Sequence, residues 1–350
     1  MQGINIFTKS VLAIATLFFV SETNAQWRDV KANIDDEFAQ TAYFNDMCFL
    51  NQDYGFAVGN GSTILMFDGM GWRKQETPAN AASTFFSISM NADTLGWIVG
   101  EGATFYQYDK VKNTWSYFKN VEIDKKDFDK KNKPMIDVRS VYTISKTEAW
   151  AVSSGDNIFH FDGKKWARIT CNDVAEQLYS VTFINKTGWA VGENGVILNC
   201  TDGKWRKVQS PTTNKLRSVH FETAENGFAV GDNGTILKYE NGTWIQMPVN
   251  VSAPENIKLR SVFVLSDKLA WAAGDKGVLL TYNGKEWTTS REKIVNGILT
   301  KIWFTSAGTG WACGQNSFMN FEAAAIDDEI NVRIASEQKE VPVHQASVVK

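Results

Sequence analysis

Short apolar runs alternate with turn-forming residues along almost the whole of this chain, and the same order of runs and turns keeps returning. The clearest instance is GWAVGENGVILNCTDGKW at residues 188–205, which comes back as GFAVGDNGTILKYENGTW at residues 227–244. In the copy that begins at Leu216 the runs are Leu216-Arg-Ser-Val-His-Phe221, Gly227-Phe-Ala-Val-Gly231, Thr235-Ile-Leu-Lys-Tyr239 and Thr243-Trp-Ile-Gln-Met247. Runs this short, rich in β-branched and aromatic residues, predict four strands, a to d, rather than helices. Asp232-Asn233-Gly234 between b and c, and Asn241-Gly242 between c and d, supply the positive φ angles that tight antiparallel hairpins need.

Aligned on the aromatic residue of strand b, the chain carries seven copies, at Phe56, Trp97, Trp150, Trp189, Phe228, Trp271 and Trp311. Subtracting successive positions gives spacings of 41, 53, 39, 39, 43 and 40. A period near forty with four strands per copy is the pattern of propeller blades. The expected fold is therefore all-β: a seven-bladed β-propeller of four-stranded antiparallel blades over about residues 26–322.

The first six blades are expected near residues 44–75, 86–117, 138–169, 178–208, 216–247 and 259–289. The seventh has strands a, b and c at 299–304, 310–314 and about 318–321, but no d-strand tryptophan after them. Trp27-Arg-Asp-Val30 resembles the d strands Trp72-Arg-Lys-Gln75 and Trp205-Arg-Lys-Val208 and stands alone at the start. The orphan strand completes the blade that lacks one, so the N-terminal strand is expected to close the ring and leave no open blade at the seam. Residues 120–135 mix five lysines with three aspartates, account for the spacing of 53, and are expected to be a solvated loop.

Residues 1–25 lie outside this pattern. Lys9, the ten apolar-rich residues from Val11 to Val20 and Thr23-Asn-Ala25 before Gln26 together predict a cleaved signal peptide. Ten residues are too few to span a bilayer as a helix, which takes roughly 20. The mature protein is expected to be exported, to the periplasm, the cell surface or the medium, with no membrane span and as a monomer. Residues 323–350 contain no copy of the repeat and are read as a C-terminal tail. With 43% hydrophobic and 21% charged residues, the 350-residue chain can bury one large core. Its net charge of −3 argues against nucleic acid as the main partner.

Leu-x-Ser-Val-x-Phe, then Gly-Trp-Ala-Val-Gly, then Gly-x-Ile-Leu, then Asp/Asn-Gly-x-Trp resembles the repeat of the photosystem II assembly and stability factor family and its bacterial relatives, over about residues 26–322. The resemblance implies a seven-bladed propeller that acts as an exported protein-binding or assembly scaffold without catalysis. Thr201-Asp-Gly-Lys-Trp205 is similar to a worn sialidase Asp-box lacking its serine and full spacing, and the Trp-Ala-Val and Gly-x-Trp elements are similar to tectonin-type lectin propellers. These likenesses imply the alternative function, a carbohydrate-active propeller, either lectin or divergent sialidase-like hydrolase. A shared blade does not by itself carry a function.

Candidate chemistry is sparse. Of the 3 histidines, His160 and His220 fall within predicted strands and His344 in the tail, so no catalytic residue, metal site or cofactor is called for. Glu101, Glu193, Asp232 and Asp275 each follow the glycine that ends strand b, where turn chemistry explains an acid. Cys48, Cys200 and Cys313 occupy strand positions where other copies carry core residues, so core filling is favoured over disulfides. Six Asn-x-Ser/Thr sequons arise mostly from hairpin turns.

The candidate binding residues come from the geometry of a blade. The d–a connections and b–c turns share one face, and strand a begins there. Arg139, Arg217 and Arg260 hold the second position of strand a, Tyr179 holds it in the fourth blade, and Lys301 lies one step later in the seventh. These five are expected to converge at the channel mouth on the d–a loop face and to take a protein partner or a glycan. Guanidinium groups can grip carboxylates there bidentately. The competing reading is that each arginine pairs with a nearby turn acid or packs its stem between blades.

Overall fold

The structure is a computed structural model that describes residues 26–322, except 31–33, 35–41, 79–80, 92–94, 125–126, 128, 130–134, 154–156, 172–173, 251–255, 290–294, 296 and 316. The expected leader, the tail and His344 lie outside the described residues. Seven antiparallel sheets follow one another around a ring, each in the order a-b-c-d, and no α-helix occurs among the described residues. Blade 5 is typical, with strands Leu216–Thr223, Asn226–Gly231, Ile236–Glu240 and Thr243–Gln246. In blade 7 the outer strand is Gln26–Asp29, antiparallel to Ser317–Glu322 with Trp27 opposite Phe321. The ring is closed by the N-terminal strand.

Local sequence sets this blade through volume compensation between strands a and b. Where strand a carries a large residue at its sixth position, glycine faces it: Phe49 pairs Gly55, Met90 pairs Gly96, Phe183 pairs Gly188, Phe221 pairs Gly227 and Phe304 pairs Gly310. Where strand a carries the smaller Thr143 or Val264, alanine faces it, at Ala149 and Ala270. A Cβ on Gly227 would lie 2.4 Å from the Phe221 ring, so the pairing is steric, and cross-strand pairs act as packing units.

The core lies between blades. Trp189 of blade 4 stacks on Phe221 of blade 5 with centroids 5.3 Å apart, and Trp244 of blade 5 meets both edge-on. Trp150, Phe183 and Trp205 repeat the arrangement between blades 3 and 4. Trp311, Phe49 and Trp72 repeat it between blades 7 and 1. Each such aromatic pair adds about 0.5–1.5 kcal/mol beyond its burial. Cys48, Cys200 and Cys313 are buried free thiols within this packing, and burial pushes the Cys200 thiol up to about 12.

The described part of residues 120–135 is more than the solvated loop expected of it, and connections into two other blades behave like it. The segment after blade 2 lays Val121 beside Trp166 on the outer strand of blade 3, with hydrogen bonds from Trp166 N–H to the Asn120 carbonyl and from Glu122 N–H to the Trp166 carbonyl. Asp124 and Asp127 then receive Arg168, whose side chain is only 9% exposed. Ile34 covers Trp72 in the same way, and Val249–Asn250 adds a fifth, parallel strand to blade 6. Backbone groups on an outer strand attract a partner strand, and the chain supplies one itself. The mixed charge of 120–135 hid this, because its few apolar residues do the docking.

Candidate binding site at the channel mouth

Every strand a contains a β-bulge at its second residue. The ladder to strand b skips from Phe44 to Asp46, Phe85 to Ser87, Val138 to Ser140, Leu178 to Ser180, Leu216 to Ser218, Leu259 to Ser261 and Leu299 to Lys301. The skipped residues are Asn45, Phe86, Arg139, Tyr179, Arg217, Arg260 and Thr300. A bulge frees one residue from pairing and re-aims its side chain. All seven, with the third-position residue of each blade, line one cavity of about 180 Å³ where the a strands begin. The b–c turns and d–a connections surround that end, tied by Asp232 N–H to the Lys215 carbonyl and Gly234 N–H to the Ile257 carbonyl.

Arg139, Tyr179, Arg217, Arg260 and Lys301 thus line the same cavity. Each is also engaged. Arg217 holds Asp232 through two bonds, Nε to Oδ1 at 2.5 Å and Nη2 to Oδ2 at 3.1 Å, and Arg260 bonds Asp275 in the same way through Nε. Arg139 takes Asp137, two residues before it, at 2.8 Å, while its guanidinium carbon lies 4.2 Å from the centre of the Phe86 ring. The turn acids therefore do more than shape hairpins: two of them orient arginines toward the channel. The side chains of all three pairs are 17–30% exposed, so water and a ligand reach them.

Tyr179 replaces arginine in blade 4 and keeps the charge balance by another route. Its hydroxyl donates to Glu193 Oε1 at 2.6 Å, and Lys215 bonds the same carboxylate at 2.6 Å and the phenol oxygen at 3.2 Å. Burial opposes ionisation of Glu193, but the bonds from Lys215 and Tyr179 outweigh it and its pKa falls. Burial raises the Tyr179 pKa, reinforced by the bond to Glu193, so the phenol stays protonated and donates. Tyr43, just before strand a of blade 1, feels Arg260 and Arg217, yet burial prevails and raises its pKa.

Below this rim, the third-position serines form a ring of bonds between blades. The Oγ atoms of Ser87, Ser140, Ser180, Ser218 and Ser261 accept the backbone N–H of Val141, Val181, Val219, Val262 and Ile302 in the following blade, at 3.1–3.2 Å. At the seam the ring changes chemistry. Lys301 replaces serine and bonds Asp46 Oδ1 at 2.8 Å, while Asp46 Oδ2 accepts from Ile88 N–H and the Ser87 hydroxyl. Lys301 lines the cavity but is spent on closing the ring.

Asn45, Asp46, Phe86 and Thr300 were not singled out for the site by sequence reasoning, although Leu-x-Ser-Val marks their positions. A second blade begun at Phe86 is one residue late, since the strand starts at Phe85, and this hides its alignment with the arginines. Both strand histidines have packing roles: His160 lies against Trp150, and His220 Nδ1 accepts the Val264 N–H at 3.1 Å while its ring stacks on Phe263. No group of three His, Cys, Asp or Glu side chains suited to a metal occurs among the described residues. None of the helices among them is long and apolar enough to cross a membrane.

Residues 199–291 match the family model described as photosynthesis system II assembly factor YCF48. No curated relative matches the chain by sequence. A solved structure of YCF48 bound to D1 peptide is similar, at 18% identity and a TM-score of 0.68 over 88% of this chain and 98% of that one. YCF48 from Cyanidioschyzon merolae follows at 17% identity and 0.65, over 85% and 98% of the two chains. A catalytically inactive virginiamycin B lyase from Staphylococcus aureus with quinupristin gives 0.72 at 10% identity, over 86% and 100%. At such identities the likeness speaks for the fold, and one ring serves an assembly factor and a lyase alike. By its ring of blades this chain is a seven-bladed β-propeller, and over residues 199–291 its repeat is similar to the YCF48 family model.

Proposed function

We propose that this propeller is an exported, non-catalytic scaffold that binds a carboxylate-bearing segment of a protein partner at the channel mouth on the d–a face. The observation that carries the reading is the bulge. It turns Arg139, Arg217 and Arg260 out of their ladders into one cavity, each already gripping a carboxylate in the manner a partner's carboxylate would be gripped. YCF48, similar in fold, has been solved with a D1 peptide, which supports a protein partner. Export rests on the leader-like residues 1–25, and a mature N-terminus at Gln26 in the purified protein would check it. The protein is taken to act as a monomer.

The test separates binding from structure. Arg217→Ala with Arg260→Ala is expected to abolish binding of the acidic partner recovered from the exported fraction, with the unfolding temperature nearly unchanged. Asp232→Asn releases Arg217 from its own carboxylate and is expected to strengthen binding. Equal loss of binding and stability in the arginine pair, or weaker binding by Asp232→Asn, would identify these groups as blade fasteners. The aromatic rings of Phe86 and Tyr179 beside the arginines favour glycan binding as the second reading. Glycan-array binding without a protein partner would select it.

A further inference from the structure

The face opposite the mouth is made of a–b and c–d turns, which pack on each other within a blade, Gly69 against Asp53 and Gly163 against Thr147. Four c–d turns share one construction, in which the first side chain accepts two backbone N–H groups of the turn. Asp68 Oδ1 holds Met70 and Gly71, Asp109 Oδ1 holds Val111 and Lys112, Asp162 Oδ1 holds Lys164 and Lys165, and Asn283 Oδ1 holds Lys285 and Glu286, all at 2.9–3.1 Å. The tip of this turn, two residues after the acceptor, is therefore fixed and projects outward. In blades 3 and 6 the tip is lysine. In blades 1 and 2 it is Met70 and Val111.

These are the most exposed large hydrophobic residues among those described, at 86% and 97%. A single exposed apolar residue carries no meaning, but here two neighbouring blades make the same exchange at one rigid position. The two blades are joined at this end by a 2.8 Å bond between the hydroxyls of Tyr54 and Tyr108, residues adjoining the packed turns. Val111 stands between Lys110 and Lys112, the latter 3.4 Å from Asp109, and the next turn presents Lys164 and Lys165, the latter paired with Glu122. Two apolar tips, Met70 between glycines and Val111 between lysines, match the layering of an anionic bilayer, with acyl chains beneath negative headgroups.

We propose that the c–d turns of blades 1 and 2 dock this protein on an anionic lipid surface. Met70 and Val111 enter the acyl boundary, Lys110 and Lys112 meet the headgroups, and the channel mouth faces away from the membrane. The partner at the mouth plays no part in this docking.

The mature chain from Gln26 is tested with an environment-sensitive fluorophore on Met70→Cys or, as the control on the mouth face, on exposed Asn233→Cys. Vesicles of phosphatidylcholine with phosphatidylglycerol should shift the Met70→Cys emission to the blue and leave Asn233→Cys unchanged. Pure phosphatidylcholine should shift neither. Met70→Asp and Val111→Asp should each lower the vesicle partition coefficient about tenfold, in proportion to burial of one such side chain. Lys110→Glu with Lys112→Glu should erase the preference for phosphatidylglycerol. Absence of a shift at Met70→Cys overturns the proposal, including the case in which a saturable protein occupies the tips instead. Full vesicle binding by a variant carrying both aspartates also overturns it. Both substitutions lie on exposed turns, and an unchanged unfolding temperature confirms that the blades persist.

Discussion

The joint between blades 4 and 5 and the seam between blades 7 and 1 join neighbouring blades with the same aromatic packing but different polar atoms. At the joint, Trp189 stacks on Phe221 and a serine hydroxyl, Ser180 Oγ, accepts the Val219 N–H. At the seam, Trp311 stacks on Phe49 at 5.6 Å, so the apolar part is retained. The polar part is not, because Lys301 cannot accept a hydrogen bond from Met47. That N–H goes to Asp46 Oδ1, the atom Lys301 also holds, and the second oxygen serves Ile88 and Ser87 in blade 2. Stacking is thus a property of the repeat, whereas closure uses two residues found together only where the ends of the ring meet.

The largest effect on this comparison should come from removing the strand that completes the seam. Deleting residues 26–32 strips blade 7 of its outer strand and takes Trp27 from Phe304 and Phe321. A loss of more than about 3 kcal/mol is expected, the order seen for truncating a large packed aromatic. Unchanged thermal unfolding would contradict closure by the N-terminal strand.

Asp46→Ala should follow, at about 3 kcal/mol, because it abandons a largely buried ammonium and three donors at once. Ser180→Ala, its counterpart at the ordinary joint, should cost only about 1 kcal/mol, one hydrogen bond. Asp46→Ser combined with Lys301→Ser rebuilds the ordinary joint and should recover most of the loss. Denaturant unfolding of the four proteins measures the difference, and equal costs for Asp46→Ala and Ser180→Ala would mean the seam is not special.

The smallest effect is confined to acid. Burial, helped by the positive charge of Lys301, pushes the His220 pKa down to about 3. The unfolded chain takes up a proton near pH ~6.5 that the folded chain refuses until about pH 3. Stability from this group is therefore full above ~6.5 and is lost as pH falls through that window. His220→Phe should reduce the fall in stability between about pH 7 and about pH 5. An unaltered pH slope would show that the His220 bond to Val264 does not control it.

Much of this architecture was legible because it depends on neighbours within one copy. Blade number, strand order and hairpin turns follow from a repeat whose glycines and aromatics answer each other across strands a and b. Substituting Val264 for phenylalanine and Ala270 for glycine in the same blade is a correspondence visible in the letters alone. Arg139, Tyr179, Arg217 and Arg260 were reachable as candidates for the same reason, since equivalent positions in a ring must approach a common axis. Their partners were only half legible: Asp232 and Asp275 recur after strand b, but Asp137 does not.

What the amino-acid sequence determined by itself is the blade and its repetition, set by short-range volume, turn and alternation rules that act within about forty residues. Tertiary structure alone decided which side chains left their ladders, because a bulge is a property of pairing between strands. It also decided that Lys301 meets Asp46, 255 positions earlier, since the ring must close before the first and last blades share an interface. The docking of Val121 and Asp127 onto an outer strand, at Trp166 and Arg168, has the same origin: an edge exists only after the sheet has formed, and the chain that covers it has no pattern of its own.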